Sequence, residues 1–226
     1  MAKKIKTEAK EEVTVVDKIS NWFVKYSKQI GIICLVVLVV LLLSIIIVNS
    51  GNKKEANLQV QVSEKQDAIT TLFQDSEYTD DEVADMVTSL EELASEGKKN
   101  YSGTKALYLL GLTEANAENY ADAYDYFMQS YNNNKNIYLS PIALYDAGVM
   151  KENLDEQQAA LDIYKQVWSD YSNDSAVAIK SLFSTARLYE TFVEDLPLAK
   201  TTYQQIVDQY STSEYAKLAN NRISEL

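Results

Sequence analysis

Residues 107–127 read LYLLGLTEANAENYADAYDYF, and two later stretches, 144–164 (LYDAGVMKENLDEQQAALDIY) and 182–203 (LFSTARLYETFVEDLPLAKTTY), repeat the pattern. Leu107, Leu144 and Leu182 are each followed four positions on by a small residue, Gly111, Gly148 and Ala186. A second small residue comes next, Ala123, Ala160 and Ala199, and four positions after it a ring, Phe127, Tyr164 and Tyr203. The steps from 111 to 148 and on to 186 are 37 and 38 residues, and those from 123 to 160 and on to 199 are 37 and 39. Steps of three and four within each copy are helical. A small residue on one helix admits the ring of its partner, so each copy predicts two antiparallel helices at close range. Pairs of this kind cannot bury their apolar sides alone, and stacking them buries a continuous core. The predicted fold class is all-α, a helix-pair solenoid.

This alternation of large, small and aromatic positions resembles the tetratricopeptide (TPR) pattern over about residues 104–210. The copies here run to 37–39 residues, longer than a 34-residue TPR unit, and Glu114 and Lys151 stand where the pattern prefers an aromatic. Longer helices or turns are implied, with one extra residue in the third turn near Phe192–Pro197.

The pattern extends in both directions. Leu90 and Met86 stand 37 residues before Phe127 and Ala123, so helices over 55–74 and 80–97 are expected to form a degenerate first pair. Thr79-Asp-Asp-Glu82 has the spacing of a capping box, with acids favoured by the helix dipole, and Gly97 is expected to stop that helix. A calcium site is the weaker reading of these acids, since the alternating ligands and turn glycine of an EF-hand loop are missing. Ser140-Pro141 and Asp195-Leu-Pro197 read as helix starts, and Ser211-Thr-Ser-Glu214 as a capping box opening a C-terminal capping helix.

Upstream lies Ile30–Val48, IGIICLVVLVVLLLSIIIV, 19 residues without charge or proline. As a helix it is about 28 Å long, against a hydrocarbon core of about 30 Å, so it is expected to span a membrane. It is longer than a signal-peptide core and ends without a cleavage site, which predicts an uncleaved anchor. Cys34, the single cysteine, follows Ile33 inside the run, so no lipidation site is expected. Residues 1–29 carry seven lysines against four acids, which leaves −15 on the remainder of a chain whose net charge is −12. The lysine bias puts the N-terminus in the cytoplasm and the rest outside. The expected divisions are a lysine-rich cytoplasmic tail (1–29), a transmembrane helix (30–48) and one exposed domain (49–226). In the tail, Val13, Val16, Ile19, Phe23 and Tyr26, with Trp22 beside them, predict an interfacial amphipathic helix; a protein contact is the alternative.

Composition excludes much chemistry. The chain has no histidine and no cysteine outside the apolar run, so His-based acid–base work, Ser-His or Cys-His nucleophiles and the usual zinc sites are not expected. No glycine-rich phosphate loop occurs, and an acidic domain disfavours nucleic acid. No catalytic residue, cofactor, metal or small-molecule substrate is assigned, and a protein-binding scaffold remains. Positions one and five after the first leucine of each copy predict its concave groove: Tyr108 and Leu112, Tyr145 and Val149, Phe183 and Arg187. The competing reading makes the three aromatics core residues.

The whole plan, with VDKISNWFVKYSKQIGIICLVVLVV at the membrane and EELASEGKKNYSGTKALYLLGL leading into the first clear copy, resembles the YfgM-like ancillary subunits of the bacterial Sec translocon. That resemblance implies an inner-membrane protein whose periplasmic domain works beside SecYEG with a membrane-anchored chaperone like PpiD, passing emerging polypeptides to periplasmic folding factors. It transfers no residue-level site. The alternative is a TPR assembly scaffold for an envelope or division complex, though such proteins are typically lipoproteins or soluble. An organelle TPR receptor would face the cytosol, against the lysine bias.

Overall fold

The computed structural model describes residues 15–74, 78–172 and 176–226, and every regular element among them is an α-helix. The chain divides into two compact units between Lys53 and Lys54. Val13 and the lysines at 3, 4, 6 and 10 lie outside the described residues.

Helix α1 (Val15–Gln74) is 60 residues long and contains the whole of the first unit's described chain. Two separate helices were expected on either side of Asn49–Lys54, but the backbone stays helical through them. The reason is energetic: Gly51 is the only helix-breaking residue there, a helical glycine costs about 1 kcal/mol relative to alanine, and no proline removes a hydrogen bond. From Ile32 to Val48 the large apolar side chains remain 45–70% exposed. Ser44 donates its hydroxyl to the Leu41 carbonyl at 2.7 Å, so the one polar side chain in this stretch apart from Cys34 is satisfied by its own helix. This helix is long and apolar enough to cross a membrane. Near its start Trp22 packs edge-on against Phe23, centroids 5.3 Å apart, and lies 5.4 Å from Tyr26.

The second unit begins with the last turns of α1 and continues through α2 (Asp80–Gly97), α3 (Tyr101–Asn116), α4 (Tyr120–Asn133), α5 (Leu139–Asn153), α6 (Gln157–Tyr171), α7 (Ala176–Thr191), α8 (Leu196–Gln209) and α9 (Glu214–Glu225). The end of α1 pairs with α2, α3 with α4, α5 with α6 and α7 with α8, each second helix also packs on the next first helix, and α9 closes against α8 and α7. Leu58, Val62 and Ile69 of α1 are buried with Leu90, Leu93, Leu109 and Leu110, so residues 55–97 are the degenerate first pair that the spacing predicts.

The small positions do what the repeat requires of them. Ala123, Ala160 and Ala199 have no exposed surface, and Phe127, Tyr164 and Tyr203 fill the space beside them. A Cβ on Gly111 would lie 2.5 Å from the Phe127 ring, and one on Gly148 would lie 2.7 Å from the Tyr164 ring. Neither approach leaves room for a side chain.

Turns within the pairs share one device. Glu118, Asp155 and Glu194 take positive φ of 58–62°, which reverses the chain in three residues between α3 and α4 and between α5 and α6. The backbone hydrogen bonds that close these turns run from Asn119 to Glu114 and from Glu156 to Lys151, but from Asp195 to Tyr189, one residue wider. That is the extra residue of the third copy.

Caps agree with the sequence at two starts and differ at two. Thr79 and Glu82 form the reciprocal capping box, and Asp195 accepts from the Leu198 N–H at 2.9 Å ahead of Pro197. Ser140, expected as an N-cap, lies inside the first turn of α5 and donates its hydroxyl to the Asn134 carbonyl, because the helix already begins at Leu139. Helix α9 is capped by Ser213, which accepts from Ala216 N–H at 3.1 Å, and not by Ser211. Gly97 does end α2, but the left-handed residue is Lys98. Gly97 is needed for close approach, since its Cβ would meet the Gly103 backbone at 2.3 Å.

Candidate protein-binding face

The six groove positions fall in one register: Tyr108 and Leu112 on α3, Tyr145 and Val149 on α5, Phe183 and Arg187 on α7. Consecutive first helices touch, α3 with α5 and α5 with α7. Each ring at position one leans on the ring of its own second helix, with centroids 5.4 Å apart for Tyr108–Phe127, 5.1 Å for Tyr145–Tyr164 and 5.3 Å for Phe183–Tyr203. Each also reaches the next first helix. Tyr108 donates to Asp146 Oδ2 at 2.9 Å, the Tyr145 hydroxyl lies 3.1 Å from Ser184 Oγ, and Phe183 meets the Tyr215 ring of α9 at 5.6 Å. Tyr145 is left 7% exposed, with Lys180 Nζ 4.2 Å above its ring, whereas Tyr108 and Phe183 keep partial exposure.

Position five faces back toward the preceding pair. Val149 packs with Phe127, Ala123 and Ala115 at the first junction, alongside Leu112. At the second junction Arg187 donates to both oxygens of Glu152 at 2.7 Å, and Tyr164 donates its hydroxyl to Glu152 Oε1 at 2.6 Å. The third junction repeats this, with Arg222 and the Tyr203 hydroxyl, at 3.1 Å, both on Glu190. Ala115, Glu152 and Glu190 are the same repeat position. Where the ring carries no hydroxyl, as in Phe127, the partner is alanine; where it is tyrosine, the partner is glutamate with an arginine beyond. Comparing the copies at positions 115, 152 and 190 with those at 127, 164 and 203 carries this signal in the sequence, and the groove assignment passed over it.

Burial governs the titration of this layer. Removal from water lifts the Asp146 carboxyl to about 6 despite the Tyr108 hydroxyl and nearby Lys180, which both favour its charged form. Burial also raises the Tyr108 and Tyr164 phenols far above their usual range, helped by Asp146 and Glu152 respectively. For Arg187 burial opposes the charge, but the hydrogen bonds to Glu152 outweigh it and hold the guanidinium protonated. A cation so engaged serves the junction between pairs, and the face therefore presents ring edges, aliphatic side chains and Lys180. Among the described residues no group of three His, Cys, Asp or Glu side chains could hold a metal ion.

The fold and this face define a TPR-like helix-pair repeat, a class of scaffold for protein–protein contact. Consistent with it, the tetratricopeptide repeat family model matches residues 142–174, which take in α5 from Ile142 onward and all of α6. Two crystal structures of a Podosopora anserina putative kinesin light chain with nearly identical TPR-like repeats superpose with a TM-score of 0.57 at 12% identity, covering 73% of this chain and 84% of theirs. The likeness is one of fold. No curated protein matches the sequence.

Proposed function

We propose that this protein is a non-enzymatic, membrane-anchored TPR-like scaffold of the bacterial inner membrane, with residues 1–29 cytoplasmic, residues 30–48 spanning and residues 49–226 periplasmic. The observation that carries this reading is one chain joining an uncovered apolar helix to a stack of helix pairs with a polar cap. The lysine bias supports the orientation. In this reading the domain acts beside SecYEG and a PpiD-like anchored chaperone, helping pass exported polypeptides to periplasmic folding factors, as its resemblance to the YfgM-like subunits implies. Tyr108, Leu112, Tyr145, Val149, Phe183 and Arg187 line the binding groove, with Tyr108 and Phe183 offering ring edges and Tyr145 and Arg187 forming its floor. Desolvated aromatics supply much of the energy of such contacts.

Affinity purification of the full chain from native membranes in mild detergent tests the assignment. Sec subunits and an anchored chaperone are expected to accompany it. Recovery of envelope or division assembly factors in their place would overturn it in favour of an assembly scaffold.

A further inference from the structure

The turns that follow α3, α5 and α7 supply an internal control. All three turn on one acidic residue in the left-handed conformation, yet the first presents Ala117-Glu118-Asn119 and the second Leu154-Asp155-Glu156, while the third is one residue longer and reads Phe192-Val193-Glu194-Asp195 before Leu196-Pro197-Leu198. Phe192, Val193, Leu196 and Leu198 are 44%, 43%, 46% and 39% exposed, four large apolar side chains within seven residues. Reversing the chain needs none of them, since Glu194 supplies the turn geometry and Asp195 the cap. Nor is the segment loose. Phe192 and Val193 N–H both bind the Leu188 carbonyl at 3.0 Å, and Asp195 N–H binds that of Tyr189 at 2.9 Å, so the side chains stand on a fixed backbone and ordering them on binding costs little.

We propose that this turn is a docking site for a short apolar peptide segment with basic flanks, carried by a partner protein. Insertions in one repeat of a solenoid fall on loops of one face, where partners commonly bind. The exposed apolar area is on the order of 300 Å², well short of the ~800 Å² per partner of a stable protein interface. A second copy of the chain therefore does not suit this patch, and two or three apolar side chains of a peptide do. Charge selects the flanks: among the described residues neither Glu194 nor Asp195 has an ion-pair partner, and the domain is strongly acidic. The proposal rests on the scaffold reading and adds to it a second contact point, made of residues other than the six groove positions.

The test uses the full chain in lipid nanodiscs and a fluorescein-labelled heptapeptide of leucine pairs alternating with lysines, followed by anisotropy. Phe192→Ser with Leu196→Ser is expected to weaken binding at least fivefold with an unchanged melting temperature, and raised salt is expected to weaken it in the unsubstituted chain. Ala117→Ser with Leu154→Ser is expected to leave binding unchanged. Equal binding by the Phe192/Leu196 variant, or of a peptide with serine in place of leucine, overturns the proposal. So does a photo-crosslinker at position 192 that joins two copies of the chain or reacts only with lipid. If the variant still recovers every partner from native membranes, this site fails and the scaffold stands; if the unsubstituted chain recovers none, the scaffold reading itself fails.

Discussion

Converting the second junction between pairs to the composition of the first measures what the Glu152–Tyr164–Arg187 cluster does. Arg187→Val alone removes two hydrogen bonds of 2.7 Å to Glu152. Hydrogen bonds to charged groups are worth about 1.5–3 kcal/mol when buried. Arg187 is 40% exposed, so solvent screening brings the loss to about 1–2 kcal/mol, even though Glu152 keeps the Tyr164 hydroxyl. For a domain of this size that is about 2–8 °C in melting temperature. Tyr164→Phe alone costs about 1 kcal/mol by removing one donor from Glu152. The triple variant Glu152→Ala, Tyr164→Phe, Arg187→Val reproduces Ala115, Phe127 and Val149, which already pack together. It is expected within about 1 kcal/mol of the original, because removing all partners of a polar cluster strands none of them. Urea titrations of a Glu55–Leu226 fragment, followed by circular dichroism, give five midpoints, for the original, the three single variants (Glu152→Ala included) and the triple variant. A triple variant destabilised by the full sum of its single substitutions would refute the equivalence of the two junctions.

Ala160→Phe is expected to overpack the α5–α6 pair and cost ~1–3 kcal/mol; an unchanged melting temperature would show that the repeat register is wrong. The raised Asp146 carboxyl makes the folded state bind a proton that the unfolded chain has already lost between its ordinary 3.8 and about 6, so this group's contribution to stability falls as pH rises through that window, by at most about 3 kcal/mol. Asp146→Asn, which still accepts from Tyr108, is expected to remove that fall and to be the more stable protein at pH 7, as parallel denaturant titrations at pH 4 and 7 would show. Asp155→Gly relieves a left-handed non-glycine residue and is expected to be neutral or stabilising by up to about 1 kcal/mol, whereas a β-branched Asp155→Val should destabilise; the reverse order in thermal melts would contradict the turn geometry. For the topology, Lys217→Cys on the exposed side of α9 is expected to react with a membrane-impermeant thiol reagent without lysis of the inner membrane, and labelling only after lysis would invert the orientation. Ser213 is unsuitable for that label because it caps the helix.

The sequence alone determined the helix class, the pairing and the long apolar helix, because each depends on local spacing. Gly111, Gly148, Ala123, Ala160 and Ala199 announce close helix contact by size, and a run such as Ile30–Val48 announces by composition a helix apolar enough to cross a membrane. The continuity of α1 through Gly51 and the start of α5 at Leu139 were decided by the sum of weak local preferences, which single signals such as Ser140-Pro141 misplace. What Tyr108 and Tyr145 touch was decided only by tertiary structure, and so was the contact of Arg187, for which the copies offer a hint at positions 115, 152 and 190. Their partners Asp146, Ser184 and Glu152 lie 35–39 residues away, one repeat along, and a side chain's spacing on its own helix does not tell a groove wall from a junction between pairs. Stacking fixes that difference, since burial makes each buried hydroxyl or charge find a partner on the neighbouring pair.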